Sequence, residues 1–137
     1  MPDSKAKRVM LKLGDYTFGI ETAAYQKLTR LAEYRWARQD IIDNRPGYQF
    51  MGPGEETIKL PGVIYPHYRG GLGQVQSMRQ VAIEGAPMLL IDSLGHIYGR
   101  WVIRRVEERT SDYLAGGVPR KIEFDLEIVY IDDGRQG

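Results

Sequence analysis

The segment Arg120-Lys-Ile-Glu-Phe-Asp-Leu-Glu-Ile-Val-Tyr-Ile-Asp-Asp133, "RKIEFDLEIVYIDD", decides the fold class. Ile122, Phe124, Leu126, Ile128 and Tyr130 fall on one side of an extended chain, and Lys121, Glu123, Asp125 and Glu127 on the other. Successive side chains of a strand point to opposite faces, so this period of two predicts a long strand. One face lies on a core and the other meets water or a charged partner.

Working outward, similar patterns recur. "HIYGRWVIRRVEE" (96–108) is a long strand carrying Tyr98 and Trp101, with Gly99 marking a bulge. "APMLLID" (86–92) is a short buried strand and "SLG" (93–95) a turn, while "AGGVP" (115–119) is a second turn. At the other end, Val9, Leu11 and Leu13, then Tyr16, Phe18 and Ile20, alternate around Gly14-Asp15, which predicts a hairpin. Ile58 and Leu60 predict one short strand and Val63 to Tyr65 the next, with Pro61 as a bulge, break or edge.

Two helices are expected. In "LGQVQSMRQVAIEG" (72–85), Leu72, Val75, Met78 and Ala82 share a helical face, and Gly85 is a natural stop. This main helix spans about 72–84. A short helix at about 22–31 is capped by Thr22 and carries Tyr25, Leu28 and Leu31 at spacings of three. "EYRWARQDI" (33–41) either continues it or, as the alternation of Tyr34 and Trp36 with Glu33 and Arg35 favours, forms a strand. The sum is about seven strands, one main helix and one short one. Strands cluster before and after the main helix, which excludes a regular βαβ alternation. The expected class is α+β: a mostly antiparallel sheet or partly closed barrel with a helix packed on it.

Composition narrows the function. The chain has 137 residues and no cysteine, which removes disulfides and thiolate chemistry. Nineteen basic residues nearly cancel eighteen acidic ones, against the basic surplus a nonspecific nucleic-acid binder needs. The longest apolar run, Pro87 to Ile91, is far short of the ~20 residues of a membrane span. Residues 1–8, "MPDSKAKR", are charged with no apolar stretch behind them and read as a flexible arm. Residues 9–134 read as one domain, since no linker or repeat divides them.

Catalytic patterns are missing where they were sought. "GPGEETIKL" (52–60) lacks the Gly-Lys-Ser/Thr of a phosphate loop and presents Glu55 and Glu56 instead of cations. Gly71-Leu72-Gly73 lacks the third glycine of a dinucleotide fingerprint, because Gln76 stands there. His67 and His96 have no metal-ligand spacing. Glu55-Glu56 and Asp132-Asp133 are neighbours that a strand would send to opposite faces. No catalytic residue, cofactor or metal is assigned. Arg100, Arg104, Arg105 and Arg109 around Trp101 suggest either base stacking, as in a small β-barrel nucleic-acid-binding domain, or an ion-paired strand face, and Glu107 and Glu108 favour the second.

Four stretches taken together resemble a known family. They are "YQFMGPGEETIKLPGVIYP" (48–66), "YRGGLGQVQSMRQVAIEGAPMLLI" (68–91), "GHIYGRWVIRRVEE" (95–108) and "GGVPRKIEFDLEIVYIDDG" (116–134). In this order they resemble the phage tail protein U family, GpU, of contractile-tailed phages and R-type pyocins. The resemblance implies a non-enzymatic assembly component, made in the host cytoplasm and built into the tail. It implies other tail proteins and copies of itself in a ring as partners, with neither membrane nor nucleic acid. A place in the tube-to-hub or baseplate region is expected, the head-proximal terminator being the alternative. Candidate contacts are Gly52, Pro53, Gly54 and Glu55, read as the corner between two strands with Glu55 and Glu56 keeping its tip wet, and Arg100, Arg104, Arg105, Glu123 and Asp125.

Overall fold

The computed structural model describes residues 9–14, 16–19, 24–25, 27–64, 73–113 and 119–134. The proposed arm 1–8, the Thr22 cap, Tyr65, His67, Gly71-Leu72 and most of the 115–119 turn lie outside them.

Among the described residues, eight strands and one helix follow in chain order: β1 (Val9–Leu13), β2 (Tyr16–Gly19), β3 (Ala24–Tyr25), β4 (Thr29–Gln39), β5 (Gly47–Ile64), α1 (Gln74–Glu84), β6 (Met88–Asp92), β7 (Ile97–Tyr113) and β8 (Pro119–Asp132). They form one antiparallel sheet ordered β2-β1-β6-β7-β8-β5-β3, with β4 also on β5. The two ends of this path, β2 and β3, approach within 8 Å but share no described ladder, so the sheet curls without closing.

The 120–132 stretch lies in β8, an interior strand between β7 and β5. Ile122, Phe124, Leu126 and Ile128 are buried, and Tyr130 packs edge-on against the wholly buried Trp101 at 5.4 Å. The core is completed by Leu11, Leu13 and Phe18 of the first hairpin, by Ile58, Leu60 and Ile64 of β5, and by Val75 and Met78 of α1. Val75 and Met78 of the expected helical face are buried and Ala82 is half-buried, and α1 ends at Gly85 in the left-handed conformation (φ 66°). The predicted hairpin is also present, with Leu13 paired to Tyr16.

Gly99 does mark a bulge. Leu90 pairs with Gly99 but Ile91 with Ile97, leaving Tyr98 as the extra residue. Gly99 has φ 97°, and a Cβ there would lie 2.5 Å from the Asp132 carbonyl oxygen. Both the backbone conformation and the close approach require glycine.

Three expectations change. The short helix at 22–31 is absent among the described residues; β3 and β4 occupy this stretch. Leu28 and Leu31 are exposed, so no helical face is buried there, and pairing with β5 satisfies the β4 backbone instead. The two short strands around Pro61 are one continuous 18-residue strand, β5. Pro61 falls where β5 passes from β4, last paired at Lys59, to β3, paired from Gly62, so that edge needs no donor from it.

Gly52-Pro53-Gly54 is not the corner. The β4–β5 turn lies at 40–46, where Asp43 takes φ 60° and the Asn44 amide donates to the Ile41 carbonyl. The Gly-Pro-Gly run sits inside β5 between two bulges: Ala32 pairs with Glu56 but Tyr34 with Pro53, and Arg35 with Gly52 but Trp36 with Phe50. Gly52 supplies φ 109°. Pro53 itself pairs with Tyr34, and because β5 pairs with β8 only from Thr57 on, its other edge has no described ladder there that needs a proline donor.

Candidate functional site

The outward face of β8 carries Lys121, Glu123, Asp125 and Glu127, as the alternation predicts. Cross-strand pairing sets Glu127, Asp125 and Glu123 opposite Arg105, Glu107 and Arg109 of β7. Adjacent Arg104 and Arg105 should diverge on a regular strand. A second bulge changes this: Ile103 pairs with Ile128 and Arg105 with Glu127, so Arg104 is extra and also reaches the outer face.

Arg104 then bridges strands. Its Nε donates to Glu127 Oε2 at 3.0 Å and its Nη1 to Glu55 Oε1 at 2.6 Å. Lys59 of β5 approaches Glu127 at 3.9 Å from the other side. Arg109 donates to Asp125 at 2.8 Å, Glu107 at 2.7 Å and Glu123 at 3.4 Å, and Lys121 meets Glu123 at 3.1 Å. Hydrogen bonds, Asp125 first, raise the Arg109 pKa, and Lys121 lowers that of Glu123. The Arg104 hydrogen bond holds Glu127 below the ordinary carboxylate range, and Glu127 in turn raises Arg104. Arg105 alone of these arginines has no side-chain hydrogen bond or close ion pair among the described residues, although its charge helps to lower the Glu127 pKa.

The structure therefore gathers Glu55, Arg104, Arg105, Glu123 and Asp125 on one face. Arg100 stands apart at the other end of the β7–β8 pair, where its Nε donates to Asp132 Oδ1 at 2.7 Å and its Nη2 to Oδ2; this bond lowers the Asp132 pKa. Gly52 to Gly54 lie farther along β5 with β4. Glu55 and Glu56 are not a wet tip: Glu55 is held by Arg104, and Glu56 accepts from Arg30 at 2.7 and 3.2 Å. Trp101 offers no ring for stacking, being 0% exposed with its indole N–H donated to the Tyr98 carbonyl at 3.0 Å.

An open cleft of about 840 Å³ runs along the base of the β4–β5 ribbon, lined by Arg30, Glu56, His96, Ile97, Tyr98 and Tyr130 among others. Beside it, Asp92 accepts bonds from the Leu94 and His96 amides, the Tyr98 hydroxyl and the His96 ring, which together outweigh its desolvation and lower its pKa. These bonds fix the β6–β7 turn. No group of three metal-ligating side chains occurs among the described residues.

One surface was not recognised from sequence. Tyr34, Trp36, Tyr48 and Phe50 are exposed on the ribbon, with Trp36 and Phe50 at 5.0 Å between ring centroids. The alternation of Tyr34 and Trp36 favoured a strand, but alternation does not say whether a second layer covers it.

Comparison with known proteins decides the family. Residues 14–133 match the family Phage P2 GpU. The chain belongs to that family. It is also similar to a probable tape measure protein of Halomonas phage phiHAP-1, 30% identical over 129 residues; the match covers 92% of this chain and 15% of that relative. Among solved structures it is similar to a chain of the virion of a native gene transfer agent particle (TM-score 0.55) and to one of the tail of an empty gene transfer agent particle refined with C6 symmetry (TM-score 0.53). Each is 13% identical and covers 96% of this GpU-family chain and 95% of the other, so the likeness is one of fold.

Proposed function

We propose that the chain is a non-enzymatic assembly component of the tube-to-hub region near the baseplate, made in the host cytoplasm. In this reading residues 9–134 act as one tail-protein domain. Its partners are other tail proteins (tube, hub, sheath or baseplate components) and copies of itself arranged in a ring. The carrying observation is the ion-paired outer face of β5, β8 and β7. Its charges are already held in defined positions, so they present an ordered pattern to a neighbour and lose little side-chain freedom on docking. Arg105 is the charge on it left for a partner's carboxylate, and Glu55, Glu123 and Asp125 border it. A ring needs two different surfaces that meet head to tail, and a rigid charged face supplies one. The similarity to a probable tape measure protein, 30% identical over 129 residues, supports a place in the tail.

The buried Trp101 disfavours the nucleic-acid reading, which depended on its ring. The test is an electron cryomicroscopy reconstruction of intact tails, with parallel assembly of a Glu123→Lys/Asp125→Lys variant. The expected result is density for this chain near the baseplate, and a variant that folds but is incorporated poorly. Density at the head-proximal end overturns the placement, and normal incorporation of the variant overturns the role of the face.

A further inference from the structure

On the N-terminal side of Thr57, β5 leaves the main sheet and forms a two-stranded ribbon with β4: β5 pairs with β8 only from Thr57 (opposite Val129) onward, whereas β4 follows it back to Gly47. A ribbon of two strands is marginal alone. Its two edges differ. The β5 edge is interrupted by two bulges and Pro53, the devices that discourage further pairing. The β4 edge has none of them. Thr29–Gln39 contains no glycine, proline or lysine, and none of its residues is a bulge extra. It has no strand partner on that side among the described residues, and ten of its eleven residues are exposed.

We infer that the β4 edge is a self-association site, where two copies of this chain pair their β4 strands antiparallel about Tyr34. The sequence "TRLAEYRWARQ" is charge-complementary to itself in that register. Glu33 of each copy falls opposite Arg35 of the other, giving two reciprocal ion pairs on one face. The Glu33 side chain makes no hydrogen bond or ion pair among the described residues, and that of Arg35 only reaches the Met51 carbonyl. On the other face Trp36 falls opposite Ala32 and Tyr34 opposite Tyr34, so the large ring meets the small side chain. Arg30 and Arg38 also oppose each other, but Glu56 and Asp40 already pair them. The ribbon becomes a four-stranded sheet closed by a two-fold axis, and the open backbone edge is satisfied. This surface is distinct from the charged face of β5, β8 and β7.

Sedimentation equilibrium of the purified full chain tests the pairing. The wild type should dimerise at about 10–100 μM, and Glu33→Arg, which sets arginine against arginine twice, should weaken it at least about tenfold. Exchanging both charges, Glu33→Arg with Arg35→Glu, should restore the dimer, with circular dichroism confirming the fold of each. A monomeric wild type, an unaffected Glu33→Arg variant, or failure of the exchange to restore association overturns the inference. A monomer that still enters tails leaves the tail assignment standing; a dimer absent from tails does the reverse.

Discussion

At the scale of single residues, the strongest constraints sit where backbone and core meet. Gly99 lies against the Asp132 carbonyl with a positive φ, so Gly99→Ala combines strain with a clash. It should destabilise by about 2–3 kcal/mol in urea unfolding. Trp101 fills the centre of the same region, and Trp101→Ala should cost about 3–5 kcal/mol. A contrast comes from Trp36, which is 58% exposed on the ribbon. Trp36→Ser in monomer conditions should change the unfolding free energy by less than about 1 kcal/mol. Equal losses at Trp36 and Trp101 would show that the ribbon is covered within the monomer. The two tryptophans have similar sequence surroundings, each flanked by an arginine on an alternating strand. Nothing local separates the buried one from the exposed one.

At the scale of elements, β7 and β8 form an ion-paired outer layer over an apolar inner one. Glu123, Glu127 and Asp132 all have their pKa lowered, by Lys121, Arg104 and Arg100 respectively. A depressed folded-state value means the unfolded chain takes up protons first on acidification. The contribution is therefore complete above the ordinary carboxylate range, about pH 4–5, and is lost as pH falls through the folded values. Melting temperature should drop as pH is lowered through that window, with a shallower drop for Arg104→Met, which frees Glu127. An unchanged slope in that variant would remove the bond as the cause. The alternation of β8, the face of α1 and the first hairpin were legible because each is set by neighbours a few residues apart. The bulge at Arg104 was not: two adjacent arginines on one face contradict the period of two, and only the pairing of Ile103 and Arg105 with Ile128 and Glu127 reveals the extra residue.

At the scale of the whole molecule, the sheet leaves the outer face of β5, β8 and β7 and the β4–β5 ribbon available for contact. The charged face serves the tail reading: Glu123→Lys/Asp125→Lys should keep its monomer fold by circular dichroism yet enter tails poorly. Arg105→Ala separates docking from internal pairing, because the Arg105 side chain makes no hydrogen bond or close ion pair among the described residues and only adds its charge to those that lower the Glu127 pKa. It should reduce tail incorporation with little change in melting temperature. Wild-type incorporation by Arg105→Ala would show that its charge is not used by a neighbour.

The sequence by itself determined the long β8 strand, the buried side of α1, the first hairpin, the bulge at Gly99 and the family. Each follows from side-chain periodicity, glycine stereochemistry or the order of segments along the chain. Only the tertiary structure decided that Gly52-Pro53-Gly54 lies within β5 between two bulges, that residues 29–32 belong to a strand and not to a helix, and that Glu55 is bound by Arg104. Those outcomes depend on which strand lies alongside which. Hydrogen-bonding partners and ion pairs between residues tens of positions apart leave no local periodic trace, and a leucine every third residue fits a strand once a partner satisfies its backbone.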